Sequence, residues 1–108
     1  VTTARLAHIV RHPVKSVGWQ ELERVVLTQG RPLPFDRHWA VAHRGAPFEG
    51  DPDGWQPKMC FARGAAEGRL QAIRADFDDL TGHIRLTHPD QPDFTGILPD
   101  AGRAVVHW

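Results

Sequence analysis

The stretch Leu70-Gln71-Ala72-Ile73-Arg74-Ala75-Asp76-Phe77, followed by Asp78-Asp79-Leu80-Thr81-Gly82 and then His83-Ile84-Arg85-Leu86-Thr87, predicts a β-hairpin. Two strand-forming runs flank a polar turn, and Gly82 supplies the positive φ that such a turn needs. Downstream, Pro89, Pro92 and Pro99 punctuate the chain, and Asp100 stands where it could cap a helix from Ala101 through Trp108. The β-branched pair Val105-Val106 would also suit a strand over Arg103–Trp108, but the helix is the preferred expectation. Upstream, Lys58–Gly68 reads either way: Ala62, Ala65 and Ala66 allow a short helix that Gly64 and Gly68 weaken.

The N-terminal half repeats the pattern of short strands between turn residues. Ala4–Arg11 predicts a strand with Leu6, His8 and Val10 on one face and Ala7 and Ile9 on the other. Both faces are partly apolar, which suits a strand enclosed in a small barrel or sandwich. Pro13 has no N–H for a ladder and ends it, so Lys15-Ser16-Val17-Gly18 reads as a loop. Trp19–Leu27 predicts a second strand, and Thr28–Pro34, with Gly30, Pro32 and Pro34, a connection. Arg37–His43 predicts a third strand, with Arg37, Trp39 and Val41 on one face if it is regular. A turn at His43-Arg44-Gly45-Ala46 and an irregular loop over Glu49–Pro57, anchored by Trp55, complete this half. Many short strands at close spacing with Gly/Pro turns point to a small barrel or sandwich.

Composition narrows the classes. A chain of 108 residues fits one domain with a single core, and an apolar fraction of 41% with four Trp marks a folded protein. Thirteen basic residues balance thirteen acidic ones, so no net field draws the chain to nucleic acid or to an anionic membrane. The longest apolar runs, such as Val25-Val26-Leu27, fall far short of a bilayer span, and no charged-then-apolar leader is visible. The single Cys60 excludes an internal disulfide and suits a reducing compartment, so a cytoplasmic location is expected.

Few residues present recognisable chemistry. The histidines at 8, 12, 38, 43, 83, 88 and 107 contain no pair at a spacing typical of zinc ligands. His8 and His12 would lie about 13 Å apart on a regular strand, too far to share a metal. Cys60, between Met59 and Phe61, reads as a buried structural thiol. The acidic run Asp76-Phe77-Asp78-Asp79 reads as solvation of the hairpin. No nucleophile elbow, phosphate-cradling glycine loop or dinucleotide fingerprint is present, so no catalytic residue and no metal ligand is assigned. Two clusters remain. Lys15 and Ser16 after Pro13 form a small donor set suited to an oxyanion, or an ordinary turn with a solvated lysine. Arg37 at a strand entrance could make a bidentate anion contact, pair with Asp36, or stack on an indole.

The order of these clusters is similar to the opening of MOSC proteins, named after the C-terminal domain of molybdenum-cofactor sulfurase. The resemblance rests on His12-Pro13-Val14-Lys15-Ser16, then Asp36-Arg37-His38-Trp39-Ala40-Val41, and later on Leu70-Gln71-Ala72-Ile73 and Phe77 through Leu86. It implies a mainly β, small β-barrel-like domain with one or two short helices, a single N-terminal domain over 1–108. The MOSC domain that carries the molybdenum-ligating cysteine would follow it, and Cys60 does not match that residue. In the amidoxime-reducing relatives the corresponding lysine, serine and arginine help hold molybdopterin. The resemblance therefore implies that Lys15, Ser16 and Arg37 bind the phosphate end of the molybdenum cofactor, once a MOSC catalytic domain in cis or trans completes the site. The expected role is an accessory domain without a complete catalytic site; the alternative is a stand-alone binding or interaction module of the same fold.

Overall fold

The structure, a computed structural model, describes residues 3–48 and 52–108. The hairpin forms as predicted and is the organising element. Strand β3 (Arg74–Phe77) pairs antiparallel with β4 (His83–His88), Arg74 opposite Thr87 and Phe77 opposite Ile84. Gly82 takes φ 76°, and the Asp78 carboxylate accepts from the N–H groups of Leu80 (2.8 Å) and Thr81 (3.2 Å). Burial alternates along both strands: Ala75 and Phe77 from β3, Ile84 and Leu86 from β4 face inward. That period of two is the consequence of the pleat.

A third strand continues the meander. Residues Gln91–Ile97 form β5, antiparallel to β4, with a register irregularity between Leu86 and His88. The prolines in this stretch were expected only to punctuate it. Pro92 is tolerated because β5 is the outer strand of the three-stranded sheet, where one side of the backbone makes no ladder bonds. The chain then enters helix α1 (Gly102–His107), as preferred over a strand. Asp100 does not cap it: Ala101 is the N-cap and no side chain caps this end.

The N-terminal strands are shorter than predicted. Only Ile9–Arg11 (β1) and Gln20–Leu22 (β2) pair, antiparallel, with Arg11 opposite Gln20. Leu6, Val26 and Leu27 are strongly exposed, so the flanking apolar residues bury nothing and form no ladder. The inward face of β1 ends in Arg11. The predicted third strand is reduced to single bridges: Val14 pairs parallel with Trp39, and Ala42 antiparallel with Phe61. Arg37 does not share a face with Trp39 and Val41. It sits at φ 50° in a turn, while those two pack on the core. The 58–68 segment resolves into 3-10 turns at Lys58–Cys60 and, further on, Gly68–Ala72. Of the predicted loop over 49–57, residues 49–51 lie outside the described residues, and Trp55, 86% exposed, anchors nothing.

These pieces form one curved surface. A parallel bridge from Trp19 to Arg74, with the Ala75 N–H donating to the Trp19 carbonyl at 3.0 Å, joins β2 to β3. Neighbouring segments thus run from 60–62 through 39–42 to β1, β2, β3, β4 and β5. Among the described residues no ladder joins the two ends, so the β fold is barrel-like without being a closed barrel. Val14, Val17, Ile73, Ala75, Phe77, Ile84, Leu86 and Val105 fill its interior, and Cys60 is buried as expected. Val105 comes from α1, which packs over the open side.

Candidate functional site

The two clusters singled out in the sequence are zipped together. The Trp39 N–H donates to the Pro13 carbonyl (3.2 Å), the Lys15 N–H to the Trp39 carbonyl (2.8 Å), and the Arg37 N–H to the His12 carbonyl (2.5 Å). The Asp36 carboxylate accepts from the His12 N–H at 2.7 Å and also pairs with the Arg37 guanidinium. Behind this seam Phe35, Trp39 and Phe77 pack ring on ring, with Phe35 and Trp39 each about 5 Å from Phe77 (5.1 and 5.0 Å). The aromatic contacts fix the turn from inside, and the backbone bonds fix it from outside.

The seam holds an unusual backbone. Among the described residues the non-glycine positions with positive φ are Ser16 (60°), Phe35 (60°) and Arg37 (50°), and all lie in these clusters. Such conformations cost free energy for residues with a Cβ and persist where surrounding contacts over-determine them. Here the contacts are those just named. The Ser16 strain belongs to the turn closed by the Val17 N–H on the Val14 carbonyl at 3.1 Å.

The side chains of Lys15, Ser16 and Arg37 are brought to one seam but not to one point. The Arg37 N–H bonds to His12 and the Lys15 N–H to Trp39, so the two residues meet the seam at different points. The Arg37 guanidinium pairs with Asp36 and is 58% exposed. The half-buried Lys15 side chain reaches across the 39–42 segment, and its ammonium donates to the Ala62 carbonyl at 3.4 Å. No hydrogen bond links the three side chains to one another.

Ala62 belongs to the wall of an open, mainly apolar cleft of about 330 Å³ that Val17, Val41, Leu70, Val105 and Trp108 also line. Glu67, Arg69 and His88 give its rim polarity. The Glu67 carboxyl is held down to about 2, first by the side-chain hydrogen bond from Arg69, then by the Arg69 backbone N–H and charge. A second cleft, of about 340 Å³, lies on the other flank of α1, between Val14, Trp39 and Val41 and the helix residues Arg103 and Val106.

Comparison with family profiles matches residues 3–106 to the MOSC N-terminal beta barrel domain. The chain belongs to that family. Neither the comparison with curated proteins nor that with solved structures returned a match. The match covers both clusters and the hairpin of this MOSC N-terminal domain, and its family places the chain in an accessory role within MOSC proteins. Among the described residues no group of three or more His, Cys, Asp or Glu is gathered where it could hold a metal ion. Nor is any helix among them long and apolar enough to cross a membrane.

Two arginines of the MOSC N-terminal domain carry no flag in the sequence. Among the described residues Arg11, 2% exposed, is the charged residue that is buried. Its Nε donates to Gln20 (3.0 Å), one terminal nitrogen to the Pro34 carbonyl (2.9 Å) and Asp79 (3.1 Å), the other to the Phe77 carbonyl (3.1 Å) and Asp79 (2.5 Å). The acidic run is therefore more than solvation, since Asp79 neutralises Arg11 and Phe77 is core. The one sequence signal for Arg11 is its parity with Ile9, and an arginine at a strand end is more often solvated than buried. Arg63, beside Ala62, carries a buried Nε without a hydrogen-bond partner, and its alanine- and glycine-rich surroundings give no signal.

Proposed function

We propose that this domain is the cofactor-facing accessory half of a MOSC-type molybdenum-cofactor protein, with Lys15, Ser16 and Arg37 contributing to the grip on the molybdopterin phosphate. The observation that carries this reading is the concentration of strained non-glycine backbone at Ser16, Phe35 and Arg37, in the two clusters that the hydrogen-bonded seam knits together. Strain of this kind collects at ligand clamps.

The donor chemistry fits a phosphate. The Lys15 ammonium makes one long hydrogen bond and keeps donors to spare, and Ser16 offers a hydroxyl on a turn fixed by the Val14–Val17 bond. Arg37 would share its guanidinium between Asp36 and the ligand. When bound, the cofactor supplies the molybdenum chemistry; this chain binds and orients its anionic end. The metal ligand and the remaining walls belong to a MOSC catalytic domain, in cis or in trans, in a reducing compartment such as the cytoplasm. The apolar clefts flanking α1 are surfaces such a partner domain could cover.

The test uses the domain together with its MOSC partner and measures bound molybdenum and pterin. Lys15→Ala, Ser16→Ala and Arg37→Ala should each lower the cofactor content while near-UV circular dichroism shows the fold intact. Unchanged content in Lys15→Ala and Arg37→Ala would defeat the reading and favour a binding module that makes no use of the cofactor.

A further inference from the structure

Helix α1 is fastened to β5 at both ends. At its start a Cβ on Gly96 would stand 2.5 Å from that of Ala101, so the missing side chain lets the chain entering α1 lie against the strand. At its end the Trp108 indole N–H donates to the Pro92 carbonyl at 2.6 Å. The two clefts flanking α1 therefore stand between fixed walls, and a ligand entering them is spared the cost of ordering those walls.

The clefts are nearly equal in volume, about 330 and 340 Å³, and share Val41, Val105 and Val106. Their charge differs. The first carries Arg69, but Glu67 beside it neutralises that guanidinium. In the second, Arg103 is the one charged residue among the described residues of the wall. It makes no ion pair among the described residues, and Asp100, exposed and three residues earlier, does not reach it. Much of the backbone of this wall is already spent. The Trp39 carbonyl accepts from the Lys15 N–H (2.8 Å), the Val41 carbonyl from Ala62 (2.7 Å), and the Gly102 N–H donates to Pro99 (2.9 Å). The guanidinium is thus a free donor on a wall made largely by apolar side chains, Val14, Trp39, Leu98 and Val106 among them.

We infer that this second cleft binds a small amphiphilic carboxylate, a single-ring or short-chain acid whose apolar body lies between Trp39 and α1 while its carboxylate meets Arg103. The size follows from the volume, which sits at the small end of the roughly 300–1,000 Å³ range of ligand pockets. The head group follows from the donor. A planar carboxylate matches the guanidinium fork with two parallel hydrogen bonds. A phosphate monoester would bring roughly 1.5–2 charges to a single cation beside apolar walls, and the surplus would lose water without gaining a partner. The site stands apart from the cofactor grip, since Lys15, Ser16 and Arg37 do not line it.

The experiment titrates the 108-residue chain with phenylacetate and, in parallel, with phenylacetamide, acetate and phenyl phosphate. Backbone amides, the Trp39 indole N–H and the Arg103 Nε–H are followed by NMR. Saturable shifts with phenylacetate are expected at Val14, Trp39, Ala42 and Arg103, with little movement at Leu70 and His88 of the other cleft. The amide, which lacks the charge, and acetate, which lacks the apolar body, should each bind about fivefold more weakly or worse. Arg103→Gln should weaken phenylacetate about fivefold, the loss of one partly exposed ion pair, and bring it level with the amide. Arg103→Lys keeps the charge without the fork and should fall between. The Arg103 Nε–H signal of the unsubstituted chain decides the matter even if a variant fails to fold. Phenylacetamide or acetate binding as tightly as phenylacetate overturns the inference, and tighter binding of phenyl phosphate overturns the ligand class. Shifts centred on Leu70 and His88, or no saturable binding, overturn the site. Cofactor content with the MOSC partner is a separate readout, so either reading can fail alone.

Discussion

Removing the carboxylate of the Arg11–Asp79 pair should damage the fold more than removing the arginine, although the arginine makes all the contacts. Arg11 is 2% exposed at its side chain and Asp79 44% exposed. In Arg11→Met the methionine keeps the apolar contact with the Phe77 ring, and the acceptors left behind fare well. Asp79 turns to water, the Phe77 carbonyl keeps the Gln20 side-chain amide at 3.1 Å, and Pro34 is itself exposed. The expected cost is about 1–2 kcal/mol, because hydrophobic replacement of a buried ion is often close to neutral. In Asp79→Ala the guanidinium stays buried with two carbonyls and an amide but no counter-charge, a situation worth about 3–5 kcal/mol. That is a large part of a small domain's total stability of about 5–15 kcal/mol. The four tryptophans of the chain allow urea unfolding to be followed by fluorescence, with midpoints compared at constant slope. In the Arg11→Met background, Asp79→Ala should cost less than about 1 kcal/mol, since the charge it neutralised is gone. A single Asp79→Ala variant as stable as Arg11→Met, or additive single effects, would refute the account.

Other outcomes follow from geometry. Leu86→Ala, at 0% exposure between the paired strands, should lose about 2–5 kcal/mol in the same urea assay. Gly18→Ala should be worse than Gly82→Ala in thermal unfolding. Both glycines have positive φ, but a Cβ on Gly18 would stand 3.0 Å from the Ala75 backbone nitrogen, against 3.2 Å from the Leu98 carbonyl oxygen for Gly82. Carbon-13 detected titration should find Glu67 ionising near 2, and Arg69→Ala should return it toward the ordinary glutamate range. The sign follows: a carboxyl whose pKa is depressed by folding contributes stability above its unfolded value, lost as pH falls from there through about 2.

How far the sequence could be read differed from element to element. The β3–β4 hairpin was legible because alternation, β-branched residues and a turn glycine all sit within one short window. β5 was missed because Pro92 argues against a central strand, and only the sheet order shows that the strand lies at an edge. Val25-Val26-Leu27 looked like strand for its β-branched residues, yet Val26 and Leu27 stay exposed, and propensity without a partner strand gives no ladder. The seam between the clusters was visible only as order and spacing. That Lys15 and Arg37 end up on one hydrogen-bonded pair of segments, with Arg37 turned toward Asp36, depends on positive φ angles that no propensity assigns to phenylalanine or arginine.

The sequence by itself determined the family, the hairpin, the terminal helix and the mainly β class, because these rest on local pattern and on motifs read in order. Tertiary structure alone decided which arginines matter. Arg11 and Arg63 carry no mark in the sequence, and Arg37 stands out there only through its cluster. Folding gives Arg11 the exposed-side carboxylate of Asp79 from 68 residues away and keeps Arg37 on its neighbour Asp36. It leaves Arg63 with a buried Nε that has no hydrogen-bond partner. An ion's role is set by the charges and solvent around it, and those neighbours come together only when distant segments pack.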